Sequence, residues 1–171
     1  MYIKIIGSVI ILVCTTLIGV DMAGVKKETT ERYKKIGEFF VLVQERLKCG
    51  SSCIADVLTD CSEHFDGIIK NIVDEFVIQL NCADNKTMKE AFDISIRDNE
   101  VYKNTIEAEY IGDFAGQWDL SGLAGSAEYA GILQDKANKI YDEMKEKLAD
   151  ETKLAVCCGG FAGVLAVLIL I

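Results

Sequence analysis

Two apolar runs lie near opposite ends of the sequence, and they constrain everything between them. Residues 1–24 carry only Lys4 and Asp21 as charges, and Ile5 to Val20 carries none. Leu154 to Ile171 is a second stretch without a single charge. A helix of about 20 apolar residues crosses ~30 Å of hydrocarbon, so both runs are long enough to be membrane spans. The expected organisation is an N-terminal transmembrane helix over 1–24, a polar domain over 25–153 and a C-terminal transmembrane helix over 154–171. The first run has a competing use as a cleaved leader, with Lys4 as its basic start and Met22-Ala23-Gly24 near the cut. The length of the run and Asp21 three places before such a cut argue against it.

Basic residues orient the spans. Lys26, Lys27, Arg32, Lys34 and Lys35 follow the first run, and Lys145, Lys147 and Lys153 precede the second. Positive flanks stay in the cytoplasm, which puts the middle domain there. The same basic cluster suits anionic headgroups at a membrane surface. The seven cysteines agree, because Cys49, Cys53, Cys61 and Cys82 in the middle domain show no disulfide framework and a cytoplasmic domain keeps its thiols reduced.

The middle domain has helical periodicity throughout. Ile36, Phe39, Phe40, Val43 and Leu47 form one stripe, and Ile54, Val57, Leu58 and Cys61 a second. Ile69, Ile72, Val73, Phe76 and Leu80 form a third. Thr87-Met88-Lys89-Glu90 has the spacing of a capping box and opens a helix lined by Met88, Ala91, Phe92 and Ser95. Tyr102, Ile106, Tyr110 and Phe114 recur every four residues. Trp118 to Gly122 is expected to be a turn, after which Leu123, Ala127, Ala130, Leu133 and Ala137 lead toward the second span in one long helix. No stretch alternates with a period of two. The complete lack of proline leaves these helices uninterrupted.

Composition then excludes some functions. The net charge is −9, and residues 54–130 alone carry sixteen acidic against five basic side chains. Such a surface repels nucleic acid, whose non-specific binding needs Lys and Arg, and suits a basic protein partner. There is no Gly-x-x-x-x-Gly-Lys-Ser/Thr loop for phosphate and no Gly-x-Ser-x-Gly elbow. His64 is the sole histidine, so a Ser or Cys triad has little to draw on. No catalytic residue, cofactor site or metal site is assigned. Cys49, Cys53, Cys61 and His64 are four soft ligands within sixteen residues, but their spacing is not that of a zinc finger; a cysteine-based metal or redox sensor is the alternative reading.

Small residues carry more information. Gly112 and Gly116 lie four apart on one helix face, and Gly122, Gly125, Ser126, Ala127, Ala130 and Gly131 follow. Glycine inside a helix costs roughly 1 kcal/mol against alanine, so this density points to close backbone approach. The expectation is that the Gly112–Gly116 face packs on residues 122–131 and that Asp119 caps the helix after the turn. In the second run, Gly159 and Gly163 make a Gly-x-x-x-Gly pair that permits helix pairing in lipid and leaves a homo-oligomer open.

The layout resembles the stage III sporulation protein AB family of endospore-forming bacteria. The resemblance rests on the two apolar ends, Leu47-Lys48-Cys49-Gly50 after the first helix, and Ile111-Gly112-Asp113-Phe114-Ala115-Gly116-Gln117-Trp118-Asp119. That last segment is similar to the family's Phe-Gly-x-x-Leu-Gly-x-x-Asp and carries over Gly112, Gly116 and Asp119, with Phe114 inside it. Ile111 stands where the family has an aromatic residue, and Ala115 where it has leucine. The resemblance implies an all-α fold, an antiparallel bundle of about six helices like the cytoplasmic domain of type II secretion F proteins. It implies a non-enzymatic platform in the mother-cell membrane facing the forespore, in contact with a secretion-type ATPase (stage III sporulation protein AA) and the other membrane components of the complex.

Overall fold

The computed structural model describes in full residues 24–50, 53–82, 87–97, 99, 101–148, 150 and 157; for residues 2–23, 100, 149, 151–156 and 158–170 it describes the helical backbone. Its elements are α1 (Tyr2–Lys48), α2 (Ile54–Ser62), α3 (Ile68–Cys82), α4 (Met88–Arg97), the single turn α5 (Glu100–Lys103) and α6 (Ile106–Leu170). No strand occurs among the described residues. The all-α class is therefore correct.

Packing divides the chain into two units, one of residues 1–31 with 141–171 and one of residues 32–140. In the first, Thr29 and Thr30 donate their hydroxyls to the carbonyls of Val25 and Lys26 at 3.0 and 2.8 Å. Lys145 Nζ lies 5.4 Å from the centre of the Tyr141 ring. Among the described residues no helix is long and apolar enough to cross a membrane. The side chains of both apolar runs, apart from Gly24 and Cys157, and with them Gly159 and Gly163, lie outside the described residues.

The second unit is built around aromatic residues delivered by each stripe. Phe39, Phe40, Phe76, Phe92, Tyr110 and Phe114 are all buried. The Phe40 ring meets Phe39 at 5.3 Å and Phe114 at 5.7 Å, Phe39 meets Phe65 at 5.8 Å, and Phe76 meets Phe92 at 5.3 Å between ring centres. Offset and edge-on aromatic pairs at such spacings add to the burial of their large area. These contacts tie α1 to the segment after α2 and to α6, and α3 to α4, and all of these rings belong to one apolar core.

α6 corrects the expectation at residues 118–122. Trp118 to Ser121 stay helical, and the chain leaves helix only at Gly122 (φ 63°, ψ −160°). That conformation belongs to glycine. The contacts on either side show a reversal. Arg32 bonds Glu107 and Phe40 meets Phe114, so the arm of α6 before Gly122 runs alongside α1 in the same direction. Gln44 bonds the Ala127 carbonyl and Gly37 abuts Asn138, so the arm after Gly122 runs back along α1. Lys136 reaches across from the second arm to Glu109 at 3.9 Å and to the Tyr110 ring at 4.8 Å. Gly125 completes the tight connection, since a Cβ there would stand 2.4 Å from the Ser121 Cβ.

The periodicity also ran across a break. Tyr102 and Ile106 belong to different helices, because Asn104-Thr105 ends α5 and starts α6. Thr105 makes the start with its own side chain, whose oxygen accepts from Ala108 N–H at 3.2 Å.

Candidate functional site

The segment with the family-like spacing, Gly112 to Asp119, lies on the first arm of α6, and three of its residues address one element, α4. A Cβ on Gly112 would come 2.7 Å from Phe92 Cε1 and 3.2 Å from Lys89 Nζ. Gly116 is next to the Lys89 stem, with 3.9 Å between a Cβ built there and Lys89 Cδ. Asp119 accepts from the backbone N–H of Met88 at 2.8 Å and of Lys89 at 2.9 Å, one through each carboxylate oxygen. Phe114 points the other way, into the core against Phe40 and Trp118.

This corrects two expectations. The Gly112–Gly116 face does not pack on residues 122–131 but receives α4. Asp119 does not cap the helix that follows it but supplies the cap of α4, 31 residues upstream. The reason lies in Gly122. The reversal there carries the second arm onto α1, so the open side of the first arm faces α4. Small residues in the second arm serve α1 instead: a Cβ at Gly131 would meet Gln44 Nε2 at 2.3 Å, and Gln44 donates to the Ala127 carbonyl at 3.2 Å.

The start of α4 is thereby fully satisfied. A helix leaves its first four N–H groups without internal partners. Here Met88 and Lys89 donate to Asp119, Glu90 donates to Thr87 Oγ1 at 3.2 Å, and Ala91 donates to the Thr87 carbonyl at 3.0 Å. The Thr87 N–H donates to Glu90 Oε2 at 3.1 Å, which closes the capping box read from the sequence. The carboxylate also stands at the positive end of the helix dipole.

A second polar clamp joins α1 to α6. Arg32 Nε donates to Glu107 Oε1 at 2.8 Å and its Nη2 to Glu107 Oε2, a two-pronged pair in which Glu107 is buried. Arg32 is thus partly withdrawn from the basic cluster, while Lys26, Lys27, Lys34 and Lys35 are exposed, Lys34 pairing with Glu38 at 3.7 Å. Sequence reasoning missed the clamp, although its signal was present. Arg32 lies one helical turn before Ile36 on the buried stripe, and Glu107 is in phase with Ile111 and Phe114.

The cysteine segment offers a small cavity of about 290 Å³ lined by Cys49, Cys61 and His64 with Asp60, Arg46 and Leu42. Cys53 is exposed and outside that lining. His64 Nδ1 lies 2.9 Å from the Asp60 carbonyl. Burial pushes the Cys61 thiol up to about 11, which keeps it protonated and a poor nucleophile or ligand. Among the described residues no three His, Cys, Asp or Glu side chains stand close enough to hold a metal ion.

Among the described residues, the buried hydroxyls Tyr110 Oη and Ser126 Oγ have no hydrogen-bond partner. Ser126 lies four residues after Gly122, whose backbone is outside helical geometry, so the i−4 carbonyl that Thr59 and Ser121 use in their own helices is displaced there.

Comparison with known proteins places these features in a family. No curated protein and no solved structure matches the chain. The family model described as stage III sporulation protein AB matches residues 4–171. On a match of that extent, the α4-clamping segment and the all-helical fold belong to a member of the stage III sporulation protein AB family, whose role lies in the third stage of sporulation.

Proposed function

We propose that the chain is a non-catalytic membrane platform of the complex that joins mother cell and forespore. In this reading residues 25–153 lie in the mother-cell cytoplasm and couple a secretion ATPase, stage III sporulation protein AA, to the channel. The observation that carries the reading is the family match over residues 4–171. Three features support it. The apolar runs at 1–24 and 154–171 suit membrane spans. The sequence has no phosphate-cradling loop. The domain invests its polar groups in holding helices together, Asp119 on α4 and Glu107 on Arg32, which befits a rigid adaptor.

The test is retention. The full chain, tagged and solubilised from sporulating cells in detergent, should retain the ATPase through purification. The purified chain should hydrolyse neither ATP nor GTP. A chain that retains no ATPase under conditions that preserve the rest of the complex overturns the coupling role. Turnover that survives removal of contaminating ATPase overturns the non-catalytic one.

A further inference from the structure

Between the end of α1 and the second arm of the α6 hairpin runs an open groove of about 720 Å³. Leu47, Leu123, Ala127 and Ile132 give it an apolar floor. Ile132 is 54% exposed and Leu123 44%, whereas Leu133, one position from Ile132, is buried at 2%. The Gln44 amide, seated over Gly131 and bonded to the Ala127 carbonyl, fixes the floor in place. Glu128 and Asp135 line the same arm. They are seven residues apart, two helical turns or about 10.5 Å. Both are exposed, and neither has an ion pair or hydrogen bond among the described residues. The lining is net negative, with these two carboxylates against a single cation. Lys48 is the one cation in the lining.

We propose that this groove docks a basic amphipathic helix of a partner protein, with aliphatic side chains on the floor and two Lys or Arg residues seven apart against Glu128 and Asp135. An apolar face laid in a groove gives affinity, and the two carboxylates give register and on-rate. A second copy is a poorer occupant, because the helix that carries its basic stretch, α1, already buries its apolar residues Ile36, Phe39 and Phe40 in its own core. An anionic lipid surface is poorer still, because the rim would repel its headgroups. The choice of a protein occupant rests on the platform reading.

The full chain in nanodiscs of zwitterionic lipid is titrated against a fluorescent 14-residue peptide. The peptide carries Leu at i, i+3, i+4 and i+7 and Lys at two flanking positions seven apart. Binding above that of empty discs is expected, and it should weaken about tenfold in Ile132→Ser and in the double variant Glu128→Lys/Asp135→Lys. The double variant Asp56→Lys/Glu75→Lys changes the net charge equally and should bind as the parent does. Equal weakening in both double variants, or unchanged binding by Ile132→Ser, overturns the proposal. So does concentration-dependent pairing of the chain that Ile132→Ser abolishes, which would make a second copy the occupant. If the peptide does not bind while the ATPase is still retained, the groove assignment alone fails. If retention fails while the peptide binds as described, the platform reading alone fails.

Discussion

Removing the Asp119 carboxylate tests whether the motif segment exists to seat α4. In Asp119→Ala, the N–H groups of Met88 and Lys89 lose acceptors at 2.8 and 2.9 Å, and the helix dipole loses its counter-charge. Loss of an N-terminal cap costs about 0.5–2 kcal/mol, and a hydrogen bond to a charged group contributes about 1.5–3 kcal/mol. Asp119 is exposed, so water takes over part of the solvation. Both ranges describe the same contact, and they overlap at about 1.5–2 kcal/mol. A chain of this size shifts by about 2–4 °C per kcal/mol, so the midpoint should fall by roughly 3–8 °C. Asp119→Asn keeps one acceptor oxygen and should lose about half as much. Trp118 fluorescence in the detergent-solubilised full chain follows the transition, because its ring meets Phe114 in the core. Hydrogen exchange supplies the local readout: α4 should lose protection before α3. If Asp119→Ala melts within 2 °C of the parent and α4 exchanges as before, the cap carries no weight and the segment has another purpose.

Four further outcomes follow from the same geometry. Gly112→Ala should destabilise by about 1–3 kcal/mol, since its Cβ would sit 2.7 Å from the buried Phe92; Gly116→Ala, with 3.9 Å of clearance, should stabilise by up to about 1 kcal/mol through helix propensity. Urea unfolding of both variants checks the opposite signs. Arg32→Met leaves the buried Glu107 carboxylate without its two-pronged partner and should cost about 3–5 kcal/mol in the same assay. Burial raises the Tyr110 hydroxyl to about 12, with Tyr33, Glu109 and Asp113 adding to the rise. The unfolded chain releases that proton from about pH 10 while the folded chain keeps it. Stability from this group is therefore complete below pH 10 and lost as pH climbs to 12, and Tyr110→Phe should flatten that fall while matching or exceeding the parent at pH 7, where its unpartnered hydroxyl is a burden. Cys53 and Cys82 are exposed, so in intact cells both should escape a membrane-impermeant maleimide if the domain is cytoplasmic; prompt labelling from outside would refute that placement.

How much of this was legible in the sequence depends on the range of the interaction. The stripes of α1 to α4 were readable because burial on one face imposes a 3.6-residue period, and Ile36, Phe76 and Ala91 are buried where the period puts them. The capping box at Thr87 was readable because donor and acceptor lie within one turn. What Gly112, Gly116 and Asp119 touch was not readable. Spacing shows that residues share a face, not which helix arrives there, and that was decided by a single backbone conformation at Gly122. The Asn104-Thr105 break was hidden because the apolar period happens to continue in phase across it. The Arg32–Glu107 pair required two buried stripes to be laid side by side with charges at matching heights, 75 positions apart in the chain. The groove beside Ile132 arose the same way. An apolar residue in phase with solvent has no meaning along one helix, and gains one only when the reversal at Gly122 sets that helix against the end of α1.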